Sequence, residues 1–231
     1  MKKCLVIGGS GDIGASICEQ LVEDGWEVGV HYYSNRPDLY SASSCSYFQG
    51  DLSSDEGIDA FLGTLPRDWD ALVFAAGKAS YGLFQDAPDS VMDILYHLHV
   101  KSLWKITRHA LPGMISRKQG NIAVVTSVWG ETGASLEVLY SSVKGAQRSF
   151  VFGLAKETGR SGIRVNGVAP GMIDTKMNEV IDEQDKRYIE EEIPLHRQGE
   201  PSEVAKVTAF LISQKASYVT GEIINVSGGW R

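Results

Sequence analysis

No stretch of this sequence is apolar over the ~20 residues that a bilayer crossing requires, so no membrane-spanning helix is expected. Basic charge is also lacking. The formal net charge is −7 and the pI about 5.3, which argues against a general binder of nucleic acid or of anionic membranes. Cysteine is scarce: Cys4, Cys18 and Cys45 are odd in number and scattered, with neither the spacing of a metal site nor that of a disulfide framework. A reducing cytoplasm is the expected location, and no metal is expected. The opening run Met1–Ile7 resembles the start of a signal peptide, but Gly8-Gly9-Ser10-Gly11-Asp12 ends it too early. There is no internal repeat, low-complexity tract or interdomain linker. What remains is an ordinary globular composition over 231 residues, read as a single domain spanning 1–231.

Short β-rich runs alternate with helical patterns along the whole chain. Strands are expected at Lys3–Ile7, Glu27–Tyr32, Ser46–Gln49, Ala71–Phe74, Asn121–Thr126, Arg164–Val168 and Glu222–Val226. Helices are expected near Ile13–Asp24, Asp55–Leu65, Ser90–Met114, Tyr140–Gly159 and Pro201–Ser213. Repeated βαβ units imply an α/β fold, a doubly wound, seven-stranded parallel sheet with helices on both faces. Met172–Gln198 is charged and weakly patterned, and reads either as a solvated loop or as a lid over a site.

The first strand runs into Gly8-Gly9-Ser10-Gly11-Asp12-Ile13-Gly14, and a helix follows. Glycines let backbone approach a pyrophosphate, and a helix N-terminus supplies free N–H groups and a positive dipole end. In this context the loop reads as dinucleotide-binding; by itself a Gly-rich loop is a weak signal. The second strand ends Val30-His31-Tyr32-Tyr33-Ser34-Asn35-Arg36, without the carboxylate that would hold the ribose 2′-hydroxyl of NAD. Arg36, with Tyr32, Ser34 and Asn35 around it, suits a 2′-phosphate, so NADP(H) is favoured over NAD(H). Asp51, in Gly50-Asp51-Leu52, either accepts from an adenine amino group or caps the helix that follows.

Tyr140 and Lys144 stand four residues apart, about one helical turn, and Ser127 lies thirteen residues before the tyrosine. An ammonium beside a phenol favours phenolate, so Lys144 is expected to pull Tyr140 towards neutral pH. Such a pair can pass a proton to or from an alcohol oxygen, which Ser127 can hold by a hydrogen bond. Alone, the spacing is also that of an ordinary helix face.

Three ordered blocks, Ile163–Thr175, Ile193–Ala205 and Ala216–Gly229, resemble the closing third of the short-chain dehydrogenase/reductase family. The resemblance runs over nearly the whole chain and is greatest to bacterial 3-oxoacyl-[acyl-carrier-protein] reductases. It implies Tyr140 as catalytic acid/base, Lys144 as its pKa-lowering and ribose-binding partner, and Ser127 as the residue that orients the substrate carbonyl. It implies Pro170, Gly171, Ile173 and Thr175 around the nicotinamide carboxamide and a phosphate, and Asp51 and Leu52 on the adenine side. It further implies a homotetramer, and a ketone substrate that is either a small molecule or bound to acyl carrier protein. Other carbonyl compounds such as sugars, polyols or diketones stay open, as does a cofactor-binding sensor with little catalysis.

The chain departs from the family pattern in four places. Asp12 stands where the loop has a second glycine, and is expected to point away from the phosphates or to cap the helix. Phe74-Ala75-Ala76-Gly77 replaces Asn-Asn-Ala-Gly, keeping small residues where the cofactor lies close. His99 replaces an Asn whose backbone carbonyl, in the family, binds a relay water; its ring is a candidate member of that relay near neutral pH. The segment after the second strand is short, with a turn expected near Pro37–Ala42. The substrate pocket is expected from Lys78–Ala87, Trp129–Leu139 and Met172–Pro194, with Tyr81, Phe84, Trp129 and Leu136 making it apolar. The C-terminal Gly228–Arg231 is expected to pack against a neighbouring subunit.

Overall fold

The βα alternation folds into one sheet whose pairings are all parallel. The computed structural model describes residues 1–37 and 44–230. Its strands are β1 (Lys3–Ile7), β2 (Glu27–Tyr32), β3 (Cys45–Gln49), β4 (Ala71–Phe74), β5 (Gly120–Val125), β6 (Ile163–Pro170) and β7 (Ile223–Val226). They lie in the order β3-β2-β1-β4-β5-β6-β7, in parallel register such as Val6 beside Val30 and Ile7 beside Phe74. The winding reverses between β1 and β4. A crevice opens there beyond the carboxyl ends of the strands, where ligands of such sheets bind.

The helices are α1 (Asp12–Glu23), α2 (Asp55–Thr64), α3 (Asp89–Tyr96), α4 (Ser102–Arg117), α5 (Trp129–Thr132), α6 (Val138–Thr158), α7 (Glu183–Glu192) and α8 (Pro201–Ile212). Alternate residues of a strand point to opposite faces, and here both faces are covered. Cys4 and Val6 of β1 join Ile17 and Leu21 of α1 and Val204 and Leu211 of α8 in one core. Leu5 and Ile7 join Ile58 and Phe61 of α2, Leu103 and Ile106 of α4 and Val151 of α6 in the other. Each fully buried aliphatic side chain contributes about 1.5–3 kcal/mol, so the two cores fix the strand ends on which the site is built.

Two segments differ from the sequence expectation. The helix expected over Ser90–Met114 is interrupted by a π-helical turn at His97–Lys101. There Ser102 Oγ donates to the Leu98 carbonyl (2.6 Å) and Gln147 Nε2 donates to the His99 carbonyl (2.9 Å), side-chain bonds that accompany the wider turn. Within Met172–Gln198 the chain forms α7, capped by Asp182, whose Oδ1 accepts from the backbone N–H of Gln184 and Asp185. None of its residues is buried, and its only apolar residues are Tyr188 and Ile189, too few to mark a helix in sequence. The turn expected near Pro37–Ala42 lies, from residue 38 on, outside the described residues. Among the described residues no helix is long and apolar enough to cross a membrane.

Candidate active site

The nucleotide end is shaped by missing side chains. A Cβ at Gly8 (φ 82°) would stand 2.5 Å from Ala76 Cα, and one at Gly14 would stand 2.0 Å from the Gly8 carbonyl oxygen. The loop therefore closes on the end of β4 and on itself only because both residues are glycine. Gly11 is the N-cap of α1 and offers no side-chain bond, so the N–H groups of the first helical turn stay available to an anion. Asp12 makes no capping bond to the helix and lines the nucleotide cavity described below. Its Oδ2 accepts from the Lys176 backbone N–H at 2.7 Å, tying the loop to the chain after β6.

His31 holds this loop from below, a role not read from the sequence. Its Nδ1 accepts from the Gly8 N–H (3.0 Å) and its Nε2–H donates to the Gly50 carbonyl (3.1 Å). The ring is buried, with an edge-on contact to Phe61. Desolvation lowers its pKa to about 4, partly opposed by the Gly50 hydrogen bond, which keeps it neutral near pH 7. A histidine at the end of an apolar strand gave no signal of this; only the pairing of β2 beside β1 does.

Gly8, Ser10, Gly11, Asp12, Ile13, Gly14, Asp51, Leu52, Ala75, Ala76, Gly77 and Thr175 line a cavity of 620 Å³. Tyr32, Asn35 and Arg36, expected with them, do not line it. The strand pleat turns His31 and Tyr33 towards the cavity and Tyr32 away. Arg36 lies beyond the strand end with its guanidinium 3.8 Å from the centroid of the Tyr47 ring. Asp51 Oδ1 accepts from the Ser53 N–H, while Ser54 caps α2 through the Gly57 N–H, so Asp51 is not the helix cap.

A second cavity of 740 Å³ shares Ile13, Ala75, Gly77, Thr175 and Met177 with the first. Pro170, Gly171 and Ile173, at the end of β6, line it, as do Ser127, Tyr140 and Lys144. Ser127 is the second residue after β5, and its Oγ accepts from the Trp129 N–H at 3.2 Å. Tyr140 is in the first turn of α6. Lys144, one turn on, is buried and donates from Nζ to the Val125 carbonyl at 2.9 Å. Ser127, just past β5, and Tyr140 and Lys144 of α6 thus meet on one wall.

The electrostatics correct one expectation. Burial pushes the Tyr140 phenol up from its ordinary value, and the Glu137 charge adds to this, while the Ser127 hydroxyl acts in the opposite sense. Desolvation lowers Lys144 to about 7. Burial of the phenol therefore outweighs the attraction that the Lys144 ammonium exerts on a phenolate. Lys144 carries only part of a charge near pH 7, and its Nζ lies 5.6 Å from the ring centroid.

His99 is fully buried in the π-turn and meets the Tyr140 ring edge-on, with centroids 5.8 Å apart. Its Nε2 stands 3.1 Å from the Lys78 nitrogen and 3.0 Å from the Lys78 oxygen. Desolvation, with the nearby Lys144 charge, lowers its pKa to about 3. The expectation that its ring titrates near neutral pH is thus corrected: it stays neutral.

The substrate wall also differs in part. Tyr81, Trp129 and Leu136 line the catalytic cavity, but Phe84 lies in a separate surface groove. Tyr188 and Ile189 of α7 reach the cavity instead. Trp230 also lines it, packing on Trp129 with ring centroids 4.7 Å apart. Arg231 lies outside the described residues. Besides Lys144, the charged residues on this wall are Glu137, Asp182 and Asp185. Glu137 is nearly buried, and burial raises its pKa, partly offset by a Trp129 side-chain hydrogen bond.

Comparison with known proteins gives a concordant picture. Residues 9–231 match a family model described as Enoyl-(Acyl carrier protein) reductase. The chain is 44% identical to the uncharacterized oxidoreductase YmfI of Bacillus subtilis, over 99% of this chain and 98% of that protein. It is 35% identical to a 3-oxoacyl-[acyl-carrier-protein] reductase of Aquifex aeolicus, over 99% and 96% of the two chains. A solved structure of a short chain dehydrogenase/reductase family protein superposes with a TM-score of 0.88 at 26% identity, covering 99% of this chain and 96% of that one. With the parallel sheet, the glycine loop and the Ser127–Tyr140–Lys144 wall in one crevice, these matches identify the chain as an oxidoreductase that belongs to the short-chain dehydrogenase/reductase family.

Proposed function

We propose that this protein reduces a ketone to a secondary alcohol with NADPH. The observation that carries the reading is the meeting of Ser127, Tyr140 and Lys144 on one cavity wall that continues into the glycine-loop cavity. The free N–H groups at the start of α1 and the close-packed Gly8 and Gly14 suit the pyrophosphate of a dinucleotide. A nicotinamide held beside Pro170, Gly171 and Ile173 would supply the hydride that the carbonyl carbon takes up. Ser127 and Tyr140 donate hydrogen bonds to the carbonyl oxygen, where negative charge develops. Tyr140 then gives its proton to that oxygen, and Lys144 stabilises the phenolate left behind. A high phenol pKa keeps Tyr140 protonated at neutral pH, as a proton donor must be. Arg36 near the end of β2, with no carboxylate there, favours the 2′-phosphate of NADPH over the 2′-hydroxyl of NADH.

For the substrate we propose a 3-oxoacyl thioester carried on acyl carrier protein. The Aquifex aeolicus relative's name and the apolar part of the wall, Tyr81, Trp129 and Leu136, support it. A second reading is favoured by Glu137, whose carboxyl group offers an acceptor inside the cavity. It suits a carbonyl compound bearing hydrogen-bond donors, such as a sugar or polyol. We further propose a homotetramer joined in part through α4 and α6, which expose Trp104 and Phe152.

The test mixes the protein with NADPH or NADH and, in turn, acetoacetyl-CoA and a panel of ketones, following cofactor absorbance. Oxidation of NADPH, faster than that of NADH, is the expected result. Tight NADPH binding with no oxidation across the panel would contradict the reading.

A further inference from the structure

We propose that Lys176 binds the pyrophosphate of the dinucleotide through its ammonium, and that Asp12 is the positioning residue that holds Lys176 beside the glycine loop. The proposal deepens the cofactor part of the reductase reading above and rests on it.

Asp12 and Lys176 are 164 residues apart in the chain, yet both line the nucleotide cavity. The 2.7 Å bond from the Lys176 N–H to Asp12 Oδ2 fixes the backbone of residue 176 at the first turn of α1. Among the described residues, it is the one hydrogen bond that joins residues 175–192 to any part of the chain outside 172–199. The strap that follows β6 is thus held to the glycine loop at one place, and that place is Lys176. Its side chain is exposed, and its ammonium is in no ion pair among the described residues.

The charges of the cavity call for a cation here. Asp12 adds a carboxylate to the wall that would receive an anionic pyrophosphate. Against this the N-terminus of α1 offers only about half a positive charge. Among the described residues lining the cavity, the cationic side chains are Lys78 and Lys176, because His31 is neutral. The backbone of Lys78 packs against the His99 ring, at the catalytic end. That of Lys176 is bonded to the glycine loop itself. An ammonium on a flexible four-carbon stem can settle on a phosphate oxygen there, in a charge-assisted hydrogen bond. Asp12 therefore has two opposed effects. Its charge disfavours the pyrophosphate, and its acceptor oxygen places the cation that offsets that charge. The pyrophosphate is common to NADPH and NADH, so Lys176 serves both, whereas Arg36 distinguishes them.

The test is a fluorescence titration of the protein with NADPH and with NADH, at low and at raised salt. Lys176→Met keeps the stem and removes the charge. It is expected to raise Kd for both cofactors about tenfold at low salt, and by less at high salt, where the ion pair is screened. Asp12→Asn keeps an acceptor for the Lys176 N–H without the charge, and should bind both cofactors at least as tightly as the wild type. Asp12→Ala removes charge and acceptor together. It should bind both more weakly than Asp12→Asn, and in the free protein its amides at 175–178 should exchange hydrogen faster. An unchanged Kd for Lys176→Met, or a loss confined to NADPH, would overturn the pyrophosphate assignment. Equal affinities and equal amide exchange in Asp12→Asn and Asp12→Ala would overturn the positioning role. A wild type that binds neither cofactor would overturn the dinucleotide reading and the Lys176 assignment with it. One that binds both and tolerates Lys176→Met would overturn the assignment alone.

Discussion

At the nucleotide end the cavity is shaped by side chains that are missing, whereas at the carbonyl end it is shaped by ionisable side chains that are buried. Gly8, Gly11 and Gly14 bring backbone to the surface of the crevice, and neutral His31 braces them. Tyr140, Lys144, Glu137 and His99 are packed into a wall where desolvation moves every one of their pKa values. The first arrangement recognises a fixed ligand by shape and N–H direction. The second sets protonation states, and small changes of charge are felt across it. Damage to the first should therefore appear as lost binding, and damage to the second as lost turnover.

The largest effect is expected at the carbonyl end. Tyr140→Phe keeps the ring but loses the proton, and turnover should fall by about 10²–10⁴-fold, measured under saturating NADPH. At the nucleotide end, Gly14→Ala places a Cβ against the Gly8 carbonyl at 2.0 Å, a contact that backbone cannot easily relieve. A destabilisation of about 3 kcal/mol is expected, with weaker NADPH binding, from a denaturation curve and a cofactor titration.

Acid tests the brace below the loop. His31 and His99 are held neutral with pKa values of about 4 and about 3 against 6.5 for a free histidine. The unfolded chain therefore takes up these protons first, and stability falls as pH drops from 6.5 through 4 towards 3. His31→Leu should lose its part of this slope while costing about 1–3 kcal/mol at neutral pH, since the Gly8 N–H and the Gly50 carbonyl lose their partner. Thermal unfolding across that pH range would show it. A smaller effect is expected from Arg36→Ala, which should raise KM for NADPH about tenfold and leave that for NADH unchanged. An equal change for both cofactors would remove Arg36 from 2′-phosphate recognition. The smallest is Glu137→Gln. Removing that charge lowers the Tyr140 pKa, so the alkaline limb of the kcat/KM profile should shift to lower pH.

The two ends also differed in how legible they were. Glycines at a strand–helix junction can be read directly, because the physical demand for a missing Cβ is local. So could the Tyr140–Lys144 spacing, a property of one helical turn, and the seven strands, whose apolar runs match two covered faces. The protonation states were not legible. Lys144 was expected to acidify Tyr140, but burial of both groups outweighs that attraction, and burial is a property of the folded packing. His31 was missed because its partners, Gly8 and Gly50, come together only when β1, β2 and β3 pair. Helix α7 was missed because it buries no residue and holds too few apolar residues to mark a core-facing side. The contact of Trp230 with Trp129 was not legible either, because it joins residues far apart in the chain.

The division between binding and chemistry is tested most directly by measuring NADPH affinity and ketone-dependent turnover together for Tyr140→Phe and Gly14→Ala. Tyr140→Phe should bind NADPH as the wild type does and lose nearly all turnover, while Gly14→Ala should lose affinity first. Wild-type turnover by Tyr140→Phe with NADPH fully bound would contradict the account.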